Sequence, residues 1–422
     1  MSTASWSIHK AIKLILAGLL IFPIFFQLGS GIFRDTALFF DANREIMRLP
    51  IPFSILASFF VLISVGAFDR ARASLVFAFC SFILMIAVIL GNTSTGSIQQ
   101  QSKFMLLAQF MLPMFALVAG QIFEGKHNIN QYILEKSFFY ILMLMVPLQI
   151  ISSWLQGYWV LVPSVYVFSV YQHLHYVPIM FVATYMFIFY RLWQITSKTA
   201  LLLLTLLMSV YVVMTASLFI LIAFFLGLLI YSLYIGRFFD DRNIKFYFGL
   251  ACLTSMAYWI LSDYLSQSAL PPVESTGYSI GIIEKAIIAL EQKTIIWKHY
   301  LSVILNDTQT IFSGYVGEQA LRSQFSSAHN YYLDFVYNFG LVGVLPLFIL
   351  MGYTAYAVYK NSEAIMESPA LFFPCLTLTF LLVVENSFYM GLRQPYSATL
   401  TFFIWGILLS RILGMSRIKE VR

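Results

Sequence analysis

Charge is what this sequence has least of. Only 10% of its 422 residues are Asp, Glu, Lys or Arg, while 60% are hydrophobic and mean hydropathy is +0.82. A soluble domain is roughly a quarter charged and about half apolar, so the shortage excludes an ordinary water-soluble fold and points to a polytopic membrane protein. Cysteine is scarce too. Cys80, Cys252 and Cys375 all fall inside apolar runs, where a thiol is expected to act as a small buried hydrophobe. The signatures of nucleotide and zinc-protease chemistry are missing: there is no phosphate-binding loop, HExxH, dinucleotide fingerprint or soluble ATPase domain. Energy for any reaction must then arrive in the substrate or from an ion gradient. The net charge of +6 is scattered over loop ends, which excludes a clustered nucleic-acid footprint.

What is abundant is long apolar runs. A helix needs about 20 mostly apolar residues to cross a bilayer. Runs between charge clusters fall at 11–33, 51–68, 74–92, 104–123, 137–157, 174–192, 200–214, 217–235, 246–265, 333–359, 370–391 and 395–414. The expected fold is an all-α integral membrane protein of about twelve transmembrane helices, forming one domain over 1–422. The first run is longer than a signal-peptide core and lacks a small-residue cleavage site, so it reads as a retained span. The charge-free stretch 200–235 is too long for one helix and is divided at Met214-Thr-Ala-Ser217.

Lysine and arginine set the expected orientation. With the N-terminus inside, the cytoplasmic segments carry 16 of the 25 basic residues and the outer segments nine. The outer nine are Arg34, Arg44, Arg48, Lys103, Lys285, Lys293, Lys298, Arg322 and Arg393, four of which lie in one long loop. Both termini are therefore expected in the cytoplasm. The long loop, 266–332 between spans nine and ten, is expected on the outer face. Within it Ile283, Ala286, Ile287, Leu290, Thr294, Trp297, Leu301 and Ile304 recur at helical spacing. Such a helix either lies flat on the membrane–water boundary or packs on the protein's own spans.

Ionisable groups at membrane level are expensive and tend to be functional. His329 and Asn330 open span ten, and Asn330, Asp334 and Asn338 form a polar stripe at i, i+4, i+8. That stripe must face protein or a wet cavity. An imidazole there is a general base or a donor near neutral pH; its alternative role is capping a neighbouring carbonyl. Lys293, one turn before Trp297, and Arg322 could hold a diphosphate; the alternative is a snorkelling lysine. Glu385 and Arg393 fall near the outer end of span eleven, as an ion pair or as substrate contacts. His173 and His175 stand at i, i+2 with no Cys or Glu to complete a metal set, so no metal and no cofactor are expected. Gly340 and Gly343 allow close helix approach.

These residues resemble the O-antigen ligase and O-antigen polymerase superfamily of bacterial envelopes. The likeness rests on twelve expected spans, the long loop before span ten, Lys293-Thr-Ile-Ile-Trp297, Gly314 with Gly317, and His329-Asn-Tyr-Tyr-Leu333 running into Gly340-Leu-Val-Gly343. It covers about 200–350, and the N-terminal half by topology alone. The resemblance implies a metal-independent membrane glycosyltransferase of the GT-C type in the inner membrane, working on the periplasmic face. It would move a glycan from undecaprenyl diphosphate to the next carrier-linked unit, as a polymerase, or to lipid A core, as a ligase. A chain-length regulator and a flippase would be partners. His329 would assist the acceptor hydroxyl, and Lys293, Arg322 and Arg393 would hold the diphosphate, with Asn330 and Asp334 beside them. The family's pattern has arginine where this chain has Thr215-Ala216-Ser217, and again where Lys293 stands. Those departures pass the phosphates to Arg322, Arg393 or the first-loop arginines.

A transporter or flippase of lipid-linked glycan is the competing class, since twelve spans is also a common transporter count. Transporter halves often mirror one another. Here one half carries the long outer loop and the other has none, which favours an enzyme built around the loop.

Overall fold

The computed structural model describes residues 133–155, 176–195, 198–215, 217–239, 282–315, 328–393 and 395–421, with scattered helical positions between 113 and 121 and between 249 and 257. Among the described residues every regular element is helical, with no strand. Contacts group the described residues into two compact units, one within 133–290 and the other holding those of 113–121 and 291–421.

The first of these contains α1 (Ile133–Leu155), α2 (Tyr176–Ile195), α3 (Lys198–Met214) and α4 (Leu218–Phe239). The charge-free stretch does break where its hydroxyl residues stand: Thr215 closes the turn, its N–H bonding the carbonyls of Tyr211 and Val212. Aromatic rings fill the interior, with Phe189 edge-on to Tyr231 at 4.2 Å and Tyr185 at 5.6 Å from Phe224. The Tyr185 hydroxyl meets Thr205 Oγ1 at 2.8 Å, as a buried phenol requires. Leucines on the outer faces, such as Leu155, Leu203 and Leu233, are exposed. A helix apolar on all sides suits lipid around it.

The second unit contains α5 (Ile282–Asn306, from Glu291 on), α6 (Thr308–Ser313), α7 (Tyr331–Lys360), α8 (Ser362–Glu367), α9 (Pro369–Thr379) and α10 (Pro395–Val421). A π-helical turn, Phe380–Glu385, and a short turn, Asn386–Phe388, extend α9. Helix α7 is broken twice. Gly340 takes φ 66, and the axis bends by 59° between Leu345 and Leu347, where Pro346 has no N–H to donate. Trp405 of α10 is fully buried and donates to Thr354 Oγ1 at 2.7 Å. The backbones of α10 and the segment 117–121 meet at Gly406 and Gly120: a Cβ on Gly406 would run into the Leu117 carbonyl, and one on Gly120 into that of Phe403.

Among the described residues three helical segments are long and apolar enough to cross a membrane, Glu135–Leu155, Pro369–Phe388 and Ser397–Gly414; the bent α7 would make a fourth. The expected spans at 11–33, 51–68 and 74–92 lie outside the described residues. Cys252 is exposed and Cys375 half-buried, not buried as their apolar runs implied. On a helix hydrophobic all round, sequence does not say which face turns inward.

Candidate functional site

Helix α5 docks on the rest of its unit through a face rotated from the one its periodicity suggests. Ile287, Leu290 and Leu301 are exposed, while Tyr300 and Ile304 are buried and Ile296 and Val303 pack beside them. The pull comes from Tyr300, whose ring stands edge-on to Tyr337 of α7 at 5.0 Å, with Tyr315 stacked on the other side of Tyr337 at 5.1 Å. Gly314 makes that approach possible. It sits at φ 89, and a Cβ there would collide with the Asn338 carbonyl. Because Gly340 leaves the helical conformation, the Tyr337 carbonyl accepts from the Tyr315 N–H at 2.8 Å.

This docking brings Lys293 and Trp297 to two different places in the sequence at once. Trp297 donates its indole N–H to the Ala328 carbonyl at 2.9 Å, and its ring lies 6.0 Å from Phe388. Lys293 Nζ donates to the Phe388 carbonyl at 2.7 Å and rides over the Tyr389 ring at 4.2 Å. Burial holds the ammonium below its ordinary range, because desolvation disfavours the charged form. One of its three N–H groups is committed and two remain to meet a ligand.

His329 follows Ala328 directly. Its side chain is exposed, and its backbone is left-handed, at φ 48, a conformation rare outside glycine. Asn330 then caps α7, its side chain accepting from the Leu333 N–H at 3.1 Å. The N-terminal cap of α7 is therefore supplied by Asn330. Asp334 and Asn338 are buried, and the Asn338 amide donates to Asp334 at both its carbonyl and its carboxylate. The polar stripe therefore faces protein.

Tyr332, the second residue of α7, donates its hydroxyl to the Leu382 carbonyl at 2.5 Å inside the π-helical turn. It ties the histidine seam to the C-terminal end of the α9 segment, where Lys293 also lands. Sequence reading singled out His329, Lys293 and Trp297 but not Tyr332 or Tyr389. Tyr332 stood inside the quoted His-Asn-Tyr-Tyr-Leu run, which was the available signal. Glu385 is buried, with the Gly391 N–H on its carboxylate. Arg393 closes a 3₁₀ turn, Gly391–Arg393, three residues after Met390. Arg322, His173, His175, Gly317 and the first-loop arginines lie outside the described residues.

The structure thus joins three stretches distant in sequence, 293–300, 328–332 and 382–391, through side-chain bonds to backbone carbonyls. Compared with protein-family models, curated proteins and solved structures, the chain matches none.

Proposed function

We propose that this protein is a polymerase of bacterial surface polysaccharide. It joins undecaprenyl-diphosphate-linked glycan to a carrier-linked repeat unit at the periplasmic face of the inner membrane. It has about twelve spans, cytoplasmic termini and an outward loop at 266–332. The observation that carries the reading is the seam: an exposed histidine fixed between the Trp297–Ala328 bond and the Asn330 cap, beside a helix that delivers a desolvated lysine to the end of a membrane-length helix.

The chemistry follows from those groups. The acceptor sugar's hydroxyl attacks the anomeric carbon of the donor, and the bond from that carbon to the diphosphate oxygen breaks. His329 takes the hydroxyl proton. The electron pair leaves with the diphosphate, whose developing charge meets the two open N–H groups of Lys293. A lysine acts there as a point charge and not as a bidentate fork. Arg322 and Arg393 are the further cations for this leaving group. Water exclusion by the Trp297, Phe388 and Tyr389 rings strengthens each of these interactions.

The test is complementation of a deletion strain with His329→Ala at wild-type protein level, read as the banding of surface polysaccharide on a gel. The expected outcome is loss of chain extension, with lipid A carrying single repeats. Long chains stranded on the carrier would identify a ligase, and wild-type banding would remove His329 from the mechanism. If purified wild-type protein joins no glycans but moves them across vesicles, the transporter reading replaces this one.

A further inference from the structure

The mechanism above leaves Glu385 unused, and its surroundings are those of a binding group. The π-helical turn Phe380–Glu385 ends on it. Such turns hold an extra residue, re-aim the side chains that follow and recur at functional sites. Glu385 is 1% exposed, and its Oε1 has no hydrogen-bond partner among the described residues. The Gly391 N–H donates to the carboxylate, and a Cβ on Gly391 would collide with both oxygens. Asn386 fixes this crook from both sides: its Nδ2 donates to the Leu381 carbonyl at 2.5 Å, and its Oδ1 accepts from the Leu392 N–H at 2.9 Å. The phenols of Tyr332 and Tyr389 lie within electrostatic reach of the carboxylate.

Neither protonation state completes this group. An ionised Oε1 lacks a donor, and a protonated one lacks an acceptor, in a place where unmade bonds are costly. A hydroxyl serves both states, because it can donate or accept. A cation serves only the first. Among the described residues no group of three or more His, Cys, Asp or Glu could hold a metal ion.

We infer that Glu385 is a positioning residue whose Oε1 takes a hydroxyl of the glycan, at the end of the π-helical turn that Tyr332 bonds. This rests on the polymerase reading and adds to it the polar group that orients the sugar. Tyr332 couples the two places, since it follows His329 by three residues and bonds within the turn that Glu385 ends.

The experiment uses the full chain in nanodiscs and, as probe, carrier-linked glycan extracted from cells lacking the gene. Glu385→Gln and Glu385→Met are compared with wild type for the ligand-free thermal midpoint and for KM and kcat of extension. The expected result for Glu385→Gln, whose amide oxygen still accepts from the Gly391 N–H, is a midpoint equal to or above wild type, because a desolvated acid has been removed. KM for the probe rises about tenfold, and kcat changes by less than about threefold. Wild-type KM in Glu385→Gln would overturn the inference alone and leave the polymerase reading standing. A lowered midpoint with unchanged KM would overturn it too, by making the carboxylate a structural partner, for instance of Arg393. Failure of both variants to fold would do the same. Failure of wild-type protein to extend or bind the probe sinks both readings together.

Discussion

Gly391→Ala tests the geometry of the crook without reference to any substrate. Gly391 does not occupy the left-handed region, so alanine fits its backbone and the cost is steric alone. A Cβ there would lie 2.5 Å from the Glu385 carboxyl carbon, and closer still to both oxygens. The main chain is held by the Asn386–Leu392 bond at 2.9 Å, so the carboxylate is the part that must move. Moving it gives up the Gly391 N–H. Leaving a buried N–H without its acceptor costs about 1–3 kcal/mol. Replacing glycine at a compatible position returns about 0.4–1 kcal/mol by restricting the unfolded chain. The difference predicts a net loss of about 1–2 kcal/mol. Thermal unfolding of the purified protein, followed by size-exclusion recovery, measures it. The decisive arm is Gly391→Ala in a Glu385→Ala background, where no carboxylate remains to be displaced. There the substitution should be neutral or slightly stabilising, and the double-mutant cycle isolates the pair. An equal loss in both backgrounds would refute the reasoning.

Two further predictions concern the seam. Lys293 has its affinity for a proton lowered by burial, so the unfolded chain binds more protons between that lowered value and the ordinary one. Stability therefore rises with pH over that window, and wild type should gain on Lys293→Met as pH climbs from neutral to about 10; a falling difference in thermal midpoint would contradict this. At His329 the left-handed backbone costs about 1–2 kcal/mol for a residue with a Cβ, while glycine costs about 0.5–1 kcal/mol in entropy. His329→Gly should thus be more stable than His329→Ala, by up to about 1 kcal/mol in thermal unfolding, with both inactive in glycan extension; a less stable glycine variant would refute the strain.

Helices were legible here because composition decides them. The division of 200–235 fell at Thr215, since an uncharged run too long for one span must turn somewhere and hydroxyl residues accept that turn. The extent of α5 also followed from its period, Ile283 to Ile304 expected and Ile282–Asn306 found. Its facing did not. The period puts Leu301 and not Tyr300 on the apolar stripe, whereas the partner ring of Tyr337 chooses Tyr300. At the site, His329 and Lys293 were legible as rare ionisable residues at the edge of apolar runs. Their meeting through Phe388 and Ala328 was not, because those contacts end on backbone carbonyls, and carbonyls carry no sequence signal.

That choice of partner has a physical cause. At membrane depth every carbonyl freed by a helix break needs a donor, and this unit breaks its helices repeatedly around the C-terminal end of α9. The π-helical turn and the chain reversal after Phe388 disturb the regular bonding of Leu381, Leu382 and Phe388. Asn386, Tyr332 and Lys293 supply the donors. Tyr332 and Lys293 come from α7 and α5, so satisfying the break is also what draws those helices to it. The same requirement limits the chemistry. In the proposed reaction Lys293 cannot turn all three of its donors to the diphosphate without abandoning Phe388, so it would hold the leaving group only in part. A second cation has to complete the charge. Arg393 stands nearest in sequence to the Glu385–Gly391 crook, and on this reasoning Arg393→Ala weakens diphosphate release more than Lys293→Arg does.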